Sequence, residues 1–153
     1  MRTIAVTVAV LMIAAACFGQ GLRDSSTVVA VAAADTVHAG VGETVSFSVT
    51  MTIDEGWHLY ANGDPQYYGI SLNPPEGLPL ANLQIAYPEG HMGTFLGDDV
   101  RLLDHEESLT VSGILMVQPE EPFAFELELQ ACDDKSCLAP AWIPVPLTVL
   151  PKE

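Results

Sequence analysis

Of the three cysteines in the sequence, Cys132 and Cys137 stand with four residues between them, in Cys132-Asp-Asp-Lys-Ser-Cys137. Fully extended, that segment would hold the two Cα atoms roughly 17 Å apart. A disulfide needs them within about 4.4–6.8 Å, so bonding requires the chain to reverse. Asp-Asp-Lys-Ser has the composition of such a reversal between neighbouring strands. The pair is therefore expected at a hairpin tip, within reach of another protein. Two uses fit it. As a staple it closes a very small loop, which the chain-entropy estimate values at about 2 kcal/mol, against about 4.7 for a hundred-residue loop. As a redox pair it would alternate between bonded and free thiols. Residue chemistry alone leaves both open. Asp133 and Asp134 disfavour a thiolate at Cys132, while Lys135 favours one at Cys137. Cys137 is thus the expected exchange-competent sulfur. A soft-metal site built from His58, His91, Met92 and the thiols is the competing reading. The sequence has no C-x2-C and no His-x3-His spacing, so neither metal nor another cofactor is expected.

The elements that must position this pair read in period two. Residues 44–53 put Val45, Phe47, Val49, Met51 and Ile53 on one face and hydroxyl residues on the other, the pattern of a half-buried strand. Residues 123–131 repeat it with Phe123, Phe125, Leu127, Leu129 and Ala131, and deliver Cys132 directly. Residues 109–117 form a third strand, with Ile114 and Met116 on its second side, so that both faces are expected to be covered. Weaker strands are 27–31, 67–72, 83–87 and 143–149. The last contains Pro144 and Pro146, which lack an amide hydrogen, and is expected at a sheet edge. Trp57 and Tyr60 are read as core packing or a corner. After the N-terminal stretch no window has helical apolar spacing. Seven short strands with turn clusters between them predict an all-β, immunoglobulin-like β-sandwich.

Arg2 followed by the apolar and small residues 4–16 has the build of a secretory leader, too short to span a bilayer. Residues 1–19 are expected to be that leader and 20–153 a single exported domain, periplasmic or otherwise extracytoplasmic. Cys17 is the alternative end point, as a lipid-attachment site, and membrane association is expected only in that case. Export places the remaining thiols where disulfides persist. The formal net charge of −15 becomes −16 once Arg2 is removed. Such a surface is repelled by phosphate backbones and by anionic lipid, which excludes nucleic-acid binding. There is no EF-hand-type spacing of oxygen ligands, and a monomer is expected.

Gln130-Ala-Cys-Asp-Asp-Lys-Ser-Cys-Leu-Ala-Pro140, followed by Ile143-Pro-Val-Pro-Leu147, resembles the cysteine region of the N-terminal periplasmic domain of the thiol:disulfide interchange protein DsbD family. Gly56-Trp-His-Leu-Tyr-Ala-Asn62 and Leu83-Gln-Ile-Ala-Tyr-Pro-Glu-Gly90 are similar to two further family segments. The likeness extends over roughly residues 28–149. It implies an immunoglobulin-like domain that passes electrons by thiol–disulfide exchange, with Cys132 and Cys137 as the redox pair and Cys137 forming the mixed disulfide. It implies as partners a membrane-embedded thiol reductase and thioredoxin-fold proteins, in the setting of periplasmic reduction and cytochrome c biogenesis. It also implies a cap, Gly93-Thr-Phe-Leu-Gly97, with Phe95 shielding the pair. This sequence departs from the family in having four residues between the cysteines where some members have five. Gly93 and Thr94 stand where some cap loops are acidic. The chain ends at Glu153, before any membrane conduit, so the donor is expected to act in trans. The alternative from another class is a non-catalytic β-sandwich interaction module whose disulfide is structural.

Overall fold

The computed structural model describes residues 23–153, so the leader and Cys17 lie outside the described residues. A single turn of 3-10 helix, Ser25–Thr27, leads into eleven strands. They are β1 (Val29–Ala33), β2 (Thr36–His38), β3 (Thr44–Ile53), β4 (Leu59–Tyr60), β5 (Ser71–Asn73) and β6 (Leu80–Ala86). The chain continues through β7 (His91–Phe95), β8 (Asp98–Leu103), β9 (Glu106–Leu115), β10 (Phe123–Leu129) and β11 (Ala141–Leu150). One sheet has the order β1-β3-β9-β6, a second β2-β11-β10-β5, and a third, smaller one β4-β8-β7. All named pairings are antiparallel except β2 with β11. Among the described residues no helix is long and apolar enough to cross a membrane.

Alternation along β3 and β10 buries the residues it names. Val45, Phe47, Val49, Met51 and Ile53 from the first sheet share one core with Phe125, Leu127 and Leu129 from the second. The Phe47 and Phe125 rings meet across the layers at 5.5 Å. Period two puts every second side chain on one face, and two such faces exclude water from each other. The fold is the immunoglobulin-like sandwich that the sequence predicts.

Three details differ from the sequence reading. β11 is not an edge strand along its whole length, because Thr148, Val149 and Leu150 pair with β2. Pro144 and Pro146 precede that stretch, where β11 pairs with β10 alone, so the missing amides fall where no second neighbour asks for them. β9 ends at Leu115, and Met116 and Val117 beyond it are 60% and 59% exposed; covering on both faces stops with the ladder. Finally β2, β4 and the β7–β8 hairpin have no counterpart among the predicted strands. His-Met-Gly-Thr-Phe and Asp-Asp-Val-Arg-Leu-Leu lack an apolar alternation, and the hairpin is held by pairing with β4.

Candidate functional site

Beyond Leu129, paired with Ala141, the β10–β11 hairpin continues as a narrower loop that carries the cysteines. Leu138 N–H donates to Ala131 O at 2.9 Å, and Asp133 N–H to Ser136 O at 2.9 Å. Between these two bonds Cys132 faces Cys137 as an antiparallel bridge, with their Cα atoms 4.0 Å apart and a disulfide joining them. The reversal is pinned by one carboxylate. Asp133 Oδ1 accepts from Lys135 N–H at 2.8 Å, Ser136 N–H at 2.7 Å and Ser136 Oγ at 3.2 Å. The amide hydrogens of Lys135 and Ser136 hold this carboxyl below the usual range, as hydrogen bonds to an anion do. Asp133 therefore shapes the loop. The two cysteines are not equivalent: Cys132 is fully buried and Cys137 is exposed.

A residue the sequence did not advertise ties the loop to the sandwich. Ser25 is fully buried. Its Oγ donates to Ala139 O at 2.8 Å and accepts from Ala131 N–H at 2.8 Å, while its own N–H also donates to Ala139 O at 2.9 Å. One hydroxyl thus clamps both arms on either side of the cysteines. A serine before a strand is ordinary in sequence, and only the long-range contact reveals its use.

On the other side of Cys132 lies the chain leading into β4. His58 N–H donates to Cys132 O at 2.9 Å and Cys132 N–H to His58 O at 3.0 Å. β4 then pairs with β8, and β8 with β7, through the register Leu59 with Leu103, Tyr60 with Leu102 and Phe95 with Asp98. Leu96 and Gly97 form a two-residue turn with φ values of 51° and 97°. Two positive φ values match the twist of a tight hairpin; Gly97 adopts its value freely, whereas Leu96 does so against its Cβ. Leu96 is 73% exposed at the tip.

Phe95, just before that tip, is 5% exposed and belongs to a second buried cluster with Tyr60, Val100 and Cys132, edged by Tyr67 and Leu102. Its ring meets His58 at 5.5 Å, Tyr60 at 5.8 Å and Tyr67 at 5.4 Å, each edge to face. Tyr60 and Tyr67 stack at 4.6 Å. Tyr67 Oη donates to Asp98 Oδ2 at 2.9 Å and so fastens the hairpin. A Cβ added at Gly93 would meet the end of the Leu102 side chain, which would have to shift to admit it.

His58 is 9% exposed, and its Nε2 lies 3.3 Å from Tyr60 Oη. Burial pushes its pKa down, against the pull of Asp134, Asp133 and Asp104. Burial also pushes the Tyr60 and Tyr67 hydroxyls up, Tyr67 further through its bond to Asp98. One side of His58 borders a cleft of about 250 Å³ whose walls include Asp54, Glu55, Asp104 and Asp134. Cys132, Cys137 and Phe95 are thus brought to one place. His91 lies on the hairpin side of His58, its Nε2 3.6 Å from Asp104, Met92 is 62% exposed, and no group of three or more His, Cys, Asp or Glu side chains able to hold a metal occurs among the described residues. Trp57 packs against the main core, but Tyr60 belongs to the cysteine cluster. His58 was legible only as a candidate ligand; its spacing of two from Tyr60 was the signal for a shared face.

Residues 25–142 match the family described as "Thiol:disulfide interchange protein DsbD, N-terminal". Two crystal structures are similar in fold. The N-terminal periplasmic domain of ScsB from Proteus mirabilis superposes with a TM-score of 0.60 at 13% identity, over 78% of this chain and 45% of that one. This chain therefore spans less than half of the ScsB chain. The reduced N-terminal domain of Neisseria meningitidis DsbD gives 0.54 at 17% identity, over 83% of this chain and 90% of the other. No curated protein sequence matches the chain.

Proposed function

Because the chain belongs to the family of DsbD N-terminal domains, a thiol–disulfide exchange family, we propose that it works outside the cytoplasm as an electron relay. In this reading a membrane-embedded thiol reductase reduces Cys132–Cys137, and the resulting dithiol reduces thioredoxin-fold proteins. The Cys137 thiolate attacks a client disulfide, forming a mixed disulfide and releasing one client thiolate. Cys132 then attacks the Cys137 sulfur, restoring the internal disulfide and releasing the second client thiolate. Two electrons pass to the client, and the domain ends oxidised.

The observation that carries this reading is the asymmetry of the pair. The exposed Cys137 can meet a partner sulfur, while the fully buried Cys132 waits within the cluster containing Phe95. A staple has no use for such a difference, and this loop is too short to stabilise the fold much. Phe95 acts as the shield, keeping small oxidants from Cys132 until a partner displaces the hairpin.

Cys132→Ser leaves Cys137 free to form a mixed disulfide that nothing resolves. Incubated with an oxidised periplasmic thioredoxin-fold protein, this variant should give a reducible adduct, and Cys137→Ser should give none. An empty trap together with a reduction potential far below about −300 mV, the usual figure for structural disulfides, would leave only the staple.

A further inference from the structure

We propose that His58 is the proton carrier for Cys132 during exchange. This rests on the relay reading above. Its geometric basis is the backbone. His58 and Cys132 exchange both N–H···O bonds, at 2.9 and 3.0 Å, so they are directly opposed on neighbouring strands. Opposed residues of an antiparallel pair project to the same face with Cα atoms about 5.5 Å apart. Cys132 is opposed on its other side by Cys137. Cys137, Cys132 and His58 therefore form one row across three strands. One step past the Leu59–Leu103 pair, the next position in the row is Asp104, which also lines the cleft beside His58.

The chemistry requires such a group. Cys132 must lose a proton to attack Cys137 and must gain one when it leaves. It is fully buried among Phe95, Tyr60 and Val100, where water cannot serve as carrier and a bare thiolate is penalised. Asp133 is committed to the loop reversal. The hydroxyls of Tyr60 and Tyr67 are pushed up by burial and do not give up protons near neutrality. His58 remains. Its Nε2 is taken by Tyr60 Oη, and its other ring nitrogen has no hydrogen bond among the described residues. The groups facing it are Asp133 and Asp134 from the cysteine loop, Asp104, His91 and His105 from the hairpin side, Asp54 and Glu55 across the cleft, and Tyr60 on its own strand. The carboxylates steady the imidazolium, and burial keeps the resting ring neutral and ready to accept.

In the resolving step the imidazole takes the proton from Cys132 Sγ. The thiolate attacks Cys137 Sγ; the Cys132–Cys137 bond forms and the Cys137–partner bond breaks. The departing electron pair stays on the partner sulfur, which is protonated by solvent. The imidazolium releases its proton through the cleft.

The reduced protein, mixed with 5,5′-dithiobis(2-nitrobenzoate), reads the two cysteines in turn. Cys137 releases the first thionitrobenzoate in a bimolecular phase, and Cys132 releases the second in a unimolecular phase. His58→Gln should slow the second phase near neutral pH by roughly a hundredfold, the lower end of general-base effects, and leave the first unchanged. The wild-type second phase should level off above the His58 titration, whereas the variant's should keep climbing with pH. Equal second phases, or both phases slowed alike, would overturn the proposal. Should His58→Gln fail to fold, the ring-proton NMR titration of His58 in the wild type decides. A pKa that differs between oxidised and reduced protein supports the coupling, and an identical one sinks it. The probe needs no protein partner, so an empty trap removes the relay without touching this readout, and a filled trap with a His58-independent second phase removes only the proton carrier.

Discussion

Between the two large sheets, Phe47 rests on Phe125 and the other buried side chains are aliphatic or Met51. Beside the cysteine loop, the rings of His58, Tyr60 and Tyr67 each carry a polar atom, and Phe95 alone does not. The first region is built from long ladders in which alternate residues face inward, and none of its buried members carries a titratable group. The second is assembled from short segments around residues 58–60, 67, 95–102 and 132, and its rings are tied by hydrogen bonds to one another and to the hairpin. The difference separates two tasks. A dry aliphatic core supplies stability without chemistry, whereas rings with polar handles can surround a reactive sulfur and still respond to protons.

Substitutions can break this division. Phe125→Ala should cost about 3–5 kcal/mol, as large-to-small changes in dry cores do, seen as a lower urea midpoint. The exchange rate of the folded protein should stay the same; a changed rate would mean that the two regions are not separable. Phe95→Ala should cost less, because its cluster has only four fully packed members and borders solvent. Its effect should appear in chemistry, as several-fold faster oxidation of the reduced pair by oxidised glutathione; an unchanged rate removes the shield. Ser25→Ala strips Ala131 N–H of its acceptor in a buried position and should cost about 1–3 kcal/mol. Faster hydrogen exchange at the Ala131 amide should accompany it, and normal protection there would show that the clamp is dispensable.

The smallest effect is the pH response, which should belong to one region alone. Burial lowers the His58 pKa from 6.5, so the unfolded chain binds the proton more readily. The stability due to the neutral ring is present above pH 6.5 and is lost as pH falls through the folded value. The Tyr60 hydroxyl is raised from 10.0; its contribution is full below pH 10 and is lost as pH rises through the folded value. His58→Gln should flatten the acid limb of Tm against pH and Tyr60→Phe the alkaline limb. If both limbs survive both changes, the titrating groups lie elsewhere.

Long apolar alternation made the sandwich legible. Residues 44–53 and 123–131 could be placed, and their inward faces named, because period two depends only on local geometry. The cysteine reversal was legible for the same reason, since the reach of a short chain and the geometry of a disulfide leave few options. Phe95 could be singled out only through a resemblance. The β7–β8 hairpin that carries it lacks an apolar pattern, and Gly93 and Leu96 have meaning only against Leu102 and the turn.

By itself, then, the sequence determined the all-β class, the principal core faces and the bend that brings Cys132 to Cys137. Tertiary structure alone decided that Ser25 clamps both arms of the loop and that His58 stands opposite Cys132. The physical reason is range. Alternation and turn chemistry act over a few residues, whereas these contacts join positions 74 to 114 residues apart, and no local propensity encodes which distant strand will be the neighbour.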